Sequence, residues 1–162
     1  VKPYRTGEYV ERINLVSEGL AWFNDPGMQF YLNVPDYYAW RPFGIHYSPQ
    51  NSTLPAGSTV TITVAAQNVG NTTWKKSGPI PMRFATVAPL NRGSIYEHSN
   101  WLNSIRPAGL QETSVPPGGV GNFVFTVKVP STPGEYRERF SLVAENLRWL
   151  NDPGFSLYIR SY

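Results

Sequence analysis

The 162-residue chain contains no cysteine, which excludes disulfides, thiolate-ligated zinc and a cysteine nucleophile. Charged residues are scarce at 15%, and the formal net charge is only +3. Because Lys and Arg form no run, the sequence carries no footprint for nucleic-acid binding. No apolar stretch reaches the ~20 residues that a membrane-spanning helix needs, so we expect no membrane insertion.

Proline and glycine are abundant instead, with 15 and 14 residues, and aromatic residues make up 14% of the chain. Between turn signals, residues 60–64 and 123–129 alternate apolar and polar side chains with period two, the pattern of a half-buried strand. Such short strands, with turn signals every ten residues or so, predict an all-β, immunoglobulin-like β-sandwich of two packed antiparallel sheets.

One phrase occurs near both ends of the chain. "GEYVERINLVSEGLAWFNDPG" opens at Gly7 and "GEYRERFSLVAENLRWLNDPG" opens at Gly134, which gives an offset of 134 − 7 = 127 residues. The match needs no gap and extends outward to the pair of Pro3 with Pro130. We interpret it as a tandem repeat whose period is one small domain.

The repeat predicts the organisation of the chain. We expect residues 1–34 to be the C-terminal hairpin of a preceding repeat, residues 35–50 an aromatic, Pro-rich linker or edge segment, and residues 51–162 the sandwich. The chain would then be a piece of a longer protein. Because a lone hairpin is marginal in water, we expect the first hairpin to pack on the following domain or on another chain, and the sequence leaves both open.

Several strings resemble one known family, the immunoglobulin-like four-tryptophan domain, which also forms the central region of a eukaryotic selective-autophagy receptor. They are "QNVGNTTW", "VPPGGVGNFVFTV", "PSTPGEY" and "LVAENLRW", and the resemblance covers roughly residues 54–160 and again 3–34. It is closest to the bacterial members, in which the module accompanies cell-wall lytic enzymes or is repeated along extracellular proteins. The resemblance implies a non-catalytic accessory module outside the cell.

The residues of this chain point to no catalytic or metal chemistry. The histidines are His46 and His98, and nothing in the spacing predicts a Ser-His-acid arrangement. The Asn-Asp pairs at 24–25 and 151–152 offer one carboxylate per turn, which predicts Asx turns in preference to calcium sites. We therefore expect no enzyme activity, no catalytic residues, no metal and no cofactor.

The aromatic residues provide the candidate binding sites. Sugar-binding modules use exposed aromatic faces beside polar groups, and Trp101, Tyr96, Asn103 and Arg106 of one irregular loop form such a set. The alternative is that Trp101 covers the open end of the sandwich. A second set is predicted to contact a neighbouring domain or partner, and it consists of Tyr37, Tyr38 and Trp40.

These observations predict a non-catalytic β-sandwich module of a longer secreted or cell-surface bacterial protein. It would act as a spacer or assembly unit whose partners are neighbouring repeats or copies of itself. The alternative is a carbohydrate- or cell-wall-binding module appended to a lytic enzyme, with a cell-wall glycan as partner. Both place the protein outside the cell or at its surface.

Overall fold

A computed structural model of the chain describes residues 5–162. The chain divides into two compact units, one ending at Tyr37 and the other extending from Tyr38 to Tyr162. We call residues 5–37 the leading segment and residues 38–162 the domain. Residues 1–4 lie outside the described part, and with them the predicted match of Pro3 to Pro130.

All regular structure between residues 5 and 162 is β-strand, which confirms the predicted all-β class. The leading segment contains β1 (Gly7–Arg12), β2 (Val16–Ser17), β3 (Ala21–Trp22) and β4 (Gln29–Val34). The domain contains β5 (Trp40–Ser48), β6 (Thr53–Leu54), β7 (Thr59–Asn68), β8 (Trp74–Lys75), β9 (Met82–Thr86), β10 (Ala108–Gly109), β11 (Ser114–Val115), β12 (Val120–Lys128), β13 (Gly134–Ala144), β14 (Arg148–Trp149) and β15 (Ser156–Ser161).

The leading segment consists of two nested antiparallel pairs. In the outer pair, β1 lies beside β4, with Gly7 opposite Val34. In the inner pair, β2 lies beside β3 around a tight turn. Gly19 of that turn has φ 75°, a left-handed conformation that glycine adopts without steric cost.

The domain contains two larger sheets and one small pair. The first sheet has the strand order β10-β9-β13-β15-β6, with β14 also paired to β13. The second has the order β12-β7-β5, and β8 pairs with β11 separately. The pairs are antiparallel with one exception, because β6 runs parallel to β15.

The core of the domain lies between these sheets. Every second residue of β7 from Val60 to Asn68 is buried, as period-two patterning requires. Phe84 of β9 places its ring centroid 5.8 Å from that of Phe123 and 5.5 Å from that of Phe125, both on β12. Since β9 and β12 belong to different sheets, these contacts show two packed layers and confirm the sandwich.

The second compact unit starts at Tyr38, so it includes most of the segment predicted to be a linker or an edge segment. Within that segment, residues 40–48 form the second of these alternatives, the edge strand β5, which pairs with β7 over most of its length. The register shifts between Pro42 and Gly44, so that Phe43 is an extra residue in a bulge. An edge position and a bulge are the two places where a sheet tolerates proline, which explains how a Pro-rich stretch forms a strand.

Candidate functional site

The structure buries both aromatic rings of the candidate ligand-binding loop. Tyr96 is 0% exposed and Trp101 is 7% exposed. The Trp101 Nε1 donates a hydrogen bond to the Thr126 carbonyl at 2.6 Å, and its ring meets Phe125 edge-on with centroids 6.1 Å apart. Because a sugar stacks on an exposed face, neither ring offers the expected platform. Burial favours the alternative, in which Trp101 covers the core.

The polar members of that loop are engaged within the domain. Arg106 is buried, and its Nε donates to Glu145 Oε1 at 2.5 Å while its guanidinium lies 5.3 Å from the centre of the Trp149 ring. Asn103 is exposed, and its Oδ1 accepts a hydrogen bond from the Ile105 amide at 3.1 Å. Arg106 therefore fastens the loop to the hairpin of β13 and β14 and is not free to bind a ligand.

Two of the three predicted partner-contact residues belong to the core of the domain. Tyr38 and Trp40 are buried, and Tyr37 is exposed. The Asn151 side chain binds the main chain of Trp40 twice. Its Oδ1 accepts a hydrogen bond from the Trp40 amide at 2.8 Å, and its Nδ2 donates one to the Trp40 carbonyl at 2.9 Å. The Trp40 indole Nε1 also donates to Ser141 Oγ at 3.1 Å and to the Asn151 carbonyl at 3.0 Å. Trp40 thus joins the first strand of the domain to its last hairpin.

One buried carboxylate, Glu138 of β13, was not among the candidate residues predicted from the sequence. Glu138 is 5% exposed, forms an ion pair with Arg92, and accepts hydrogen bonds from Ser94 Oγ and the Ile95 amide. Burial, reinforced by the charge of Glu138, raises the pKa of Tyr96 above its ordinary value. The signal was present in the sequence, because period-two alternation places Glu138 on the inward face of its strand.

Within residues 5–162, no three His, Asp or Glu side chains lie close enough together to hold a metal ion. Asp25 and Asp152 instead accept hydrogen bonds from the amides of Gly27 and Gly154 at 2.7 and 2.8 Å, which are the predicted Asx turns. No helix in this described part of the chain is long and apolar enough to cross a membrane.

The leading segment has an exposed apolar face, which we call the open face. Its six residues are each between 42% and 69% exposed. They are Ile13, Leu15, Phe23, Met28, Phe30 and Leu32. A contiguous exposed apolar surface is typical of an interaction site.

The open face contains a concavity. Its volume is about 310 Å³, and its walls include Leu15, Phe23, Asn24 and Met28. The walls are mainly apolar, and two asparagines, Asn14 and Asn24, contribute the polar side chains. Apolar walls with a small number of hydrogen-bonding groups suit a flat aromatic side chain that also carries a polar atom.

In the domain, the corresponding hollow is filled by Trp40. Besides its bonds to Ser141 and Asn151, its ring centroid lies 6.0 Å from that of Phe155. These three residues lie 127 positions after three wall residues of the concavity, namely Asn14, Asn24 and Met28. The concavity of the leading segment is therefore the counterpart of the Trp40 seat.

No family model matches the chain, and no curated protein matches it. The resemblance to the four-tryptophan domain therefore depends on the quoted motifs.

Proposed function

We propose that the chain is a non-catalytic module of a tandem-repeat protein, secreted or displayed at a bacterial cell surface, in which β-sandwich units act as spacers or assembly elements. One observation carries this proposal: the leading segment reproduces the pairing of the last hairpin of the domain, strand for strand. Gly7 lies opposite Val34, and 127 positions later Gly134 lies opposite Ser161. The resemblance to bacterial extracellular modules supports the location.

The inner strands repeat the same relation. Val16 lies opposite Trp22 in the leading segment, and Val143 lies opposite Trp149 in the domain. A shared register along both pairs is what two copies of one repeat unit would have. The charged side chains that fasten the loops of the domain form ion pairs with each other, Arg106 with Glu145 and Arg92 with Glu138. Their use in these pairs supports a structural role over a catalytic one.

A length series tests the spacer function. The two-module chain carries an added copy of residues 38–133 ahead of Gly7, and the three-module chain carries residues 38–133 and 7–37 ahead of that copy, so that Pro133 precedes Gly7 as it precedes Gly134 in the native sequence. Small-angle X-ray scattering should show a maximum dimension that grows by a constant step per module. A dimension that stays constant as modules are added would contradict the spacer proposal.

Carbohydrate binding is the second candidate, and one observation favours it. Trp22 and Tyr31 of the leading segment are 71% and 77% exposed, so their faces are open for stacking on a sugar ring. The test is retention of the purified chain on insoluble peptidoglycan, with Trp22→Ala as the variant. We expect the chain to remain in solution; retention that Trp22→Ala abolishes would replace the spacer proposal with wall binding.

A further inference from the structure

We propose that the open face is the seat for the body of another β-sandwich module of the same repeat, and that its concavity receives a tryptophan equivalent to Trp40. The inference rests on the proposed tandem-repeat function and names the partner that the leading segment binds. That partner is a two-sheet body with the chemistry of residues 38–133. In the domain, a hairpin of the same sequence pattern packs on a body of this kind.

The backbone of the leading segment is already shaped for this partner. The Phe23 amide donates to the Leu15 carbonyl at 3.1 Å, and the Leu150 amide donates to the Leu142 carbonyl at 3.0 Å. Likewise, the Ile13 amide donates to the Met28 carbonyl at 3.3 Å, as Phe140 does to Phe155 at 3.2 Å. The main-chain turns match as well, with φ 76° at Gly27 and 77° at Gly154. Docking would therefore need little rearrangement of the segment.

The apolar residues correspond position by position. In the domain, five counterparts of the open face are at most 8% exposed and the sixth, Phe155, is partly buried against the core. They are Phe140, Leu142, Leu150, Phe155, Leu157 and Ile159. What covers them is the body itself, as the stacking of Phe84 on Phe140 at 5.3 Å shows. A body of this kind would cover the open face in the same way.

Asn24 provides the specific polar contact. Its counterpart Asn151 clamps the peptide of Trp40 with two hydrogen bonds and accepts the indole N–H through its carbonyl. Asn24 lies in the wall of the concavity, at the equivalent place. The concavity thus combines an apolar seat for an indole ring with an asparagine side chain that can bond the main-chain amide and carbonyl of the same tryptophan.

Two carboxylates extend the match beyond the apolar face. Glu11 and Glu18 are exposed in the leading segment, whereas their counterparts bind two arginines of the body. Glu138 pairs with Arg92. Glu145 likewise pairs with Arg106 at 2.5 Å. A partner with arginines at these two places satisfies both carboxylates.

The same residues argue against two leading segments packing face to face. Glu11 belongs to the inward side of β1, as Glu138 belongs to that of β13, so a symmetric pair would bring the carboxylates toward an apolar interface. An unpaired buried carboxylate is costly. The pattern of charges therefore favours a body that carries arginines over a second leading segment.

The experiment uses the two-module chain, which retains all 162 residues and adds residues 38–133 before Gly7. Hydrogen exchange of the Ile13 and Phe23 amides is measured by NMR in this chain and in the original chain. We expect both amides to exchange at least about a thousandfold more slowly in the two-module chain, because exchange then requires opening of a folded module. The amides of Phe140 and Leu150 report that the original domain is folded in both chains.

A matched pair of substitutions isolates the tryptophan seat. In the two-module chain, Asn24→Ala should raise the exchange rates of the Ile13 and Phe23 amides at least tenfold, toward their values in the original chain. Asn33→Ala, an exposed asparagine on the same segment, should leave those rates unchanged.

Two outcomes would overturn the inference. In the first, the two amides exchange equally fast in both chains while Phe140 stays protected; the scattering series can still succeed in that case, so the failure is separate from that of the spacer proposal. In the second, the original chain sediments as a dimer with both amides protected, which would make a second copy of the chain the occupant.

Discussion

Residues 7–34 and 134–161 share their register, their turns and many of their side chains, yet one segment is exposed and the other forms a wall of a core. Leu15 and Leu142 show the contrast most directly: the same residue at the same place in its hairpin is 69% exposed in one copy and 0% in the other. Local sequence therefore determines the pairing of these strands. Burial is decided by whether a body of matching shape lies against them.

The largest difference in stability between the two segments should come from truncating their equivalent leucines, Leu142 and Leu15. Leu142→Ala removes a fully buried side chain and should lower the free energy of unfolding of the domain by about 3–5 kcal/mol. Leu15→Ala should change it by less than about 0.5 kcal/mol, because that side chain is exposed. Urea unfolding monitored by fluorescence compares them, and equal losses would erase the distinction between the two segments.

The two equivalent glutamates, Glu138 and Glu11, should give the next largest difference in stability. Glu138→Ala leaves Arg92 without its partner and should cost roughly 3 kcal/mol, at the lower end for buried ion pairs because Arg92 is 21% exposed. Glu11→Ala should be neutral in the original chain. The same urea titration, repeated with Glu135→Ala as an exposed control on β13, checks this; a loss at Glu135 matching that at Glu138 would contradict the buried role.

The asparagine pair should have an intermediate effect. Asn151→Ala leaves the buried amide and carbonyl of Trp40 without partners, for which we expect a loss of about 2 kcal/mol. Asn24→Ala should leave the unfolding of the domain unchanged, since Asn24 belongs to the leading segment and not to the compact unit whose unfolding is measured. Thermal unfolding by circular dichroism is sufficient here, and a lower midpoint for Asn24→Ala would show that the leading segment already contributes to stability.

Alkaline pH should produce the smallest effect, which arises from Tyr96 of the domain. The raised pKa of Tyr96 means that the folded state favours the protonated phenol, so its contribution is complete below about pH 10 and is lost as pH rises through the folded pKa. The stability of the domain should fall above pH 10 with a slope of at most ~1.4 kcal/mol per pH unit from this group.

Tyr96→Phe provides the control for that titration, and the urea midpoint between pH 8 and 11 is the measurement. The variant should lose less stability above pH 10 than the original chain. At pH 8 we expect Tyr96→Phe to be no less stable than the original chain, because the buried Tyr96 hydroxyl has no hydrogen-bond partner within residues 5–162. The nearby Ile159 backbone lowers the pKa of Tyr96 slightly, against the larger effect of burial. A steeper alkaline decline in Tyr96→Phe would contradict the assignment.

Features that depend on local sequence were predictable. The alternation of Phe123 and Phe125 indicated an inward face, and both are buried. The equivalent turns at Gly19 and Asn146 use the two residue types that adopt left-handed φ most readily, and these residues have φ 75° and 63°. Period-two patterning and turn chemistry act over a few residues, so a single sequence is enough to show them.

Features that depend on distant partners were not predictable. On the sequence evidence the stretch around Pro42 could be a linker or an edge segment, and it forms an edge strand because β7 lies beside it and a bulge follows the proline. Trp101 could have been exposed or buried on the sequence evidence, and its bond to the distant Thr126 carbonyl decides for burial. The exposure of the open face was not predictable for a related reason. Its residues are of the types that form cores, and their burial depends on which other elements pack against them.

The bond between Trp40 and Asn151 spans 111 residues, which has a consequence for the order of events on the ribosome. Synthesis proceeds from the N-terminus, so the seat of Trp40 is completed only when the final hairpin has emerged. Until then the growing chain exposes the apolar inner surfaces of β7 and β12. Each module made in this way closes late, and a nascent chain that pauses before residue 134 would be the form most exposed to chaperones and to aggregation.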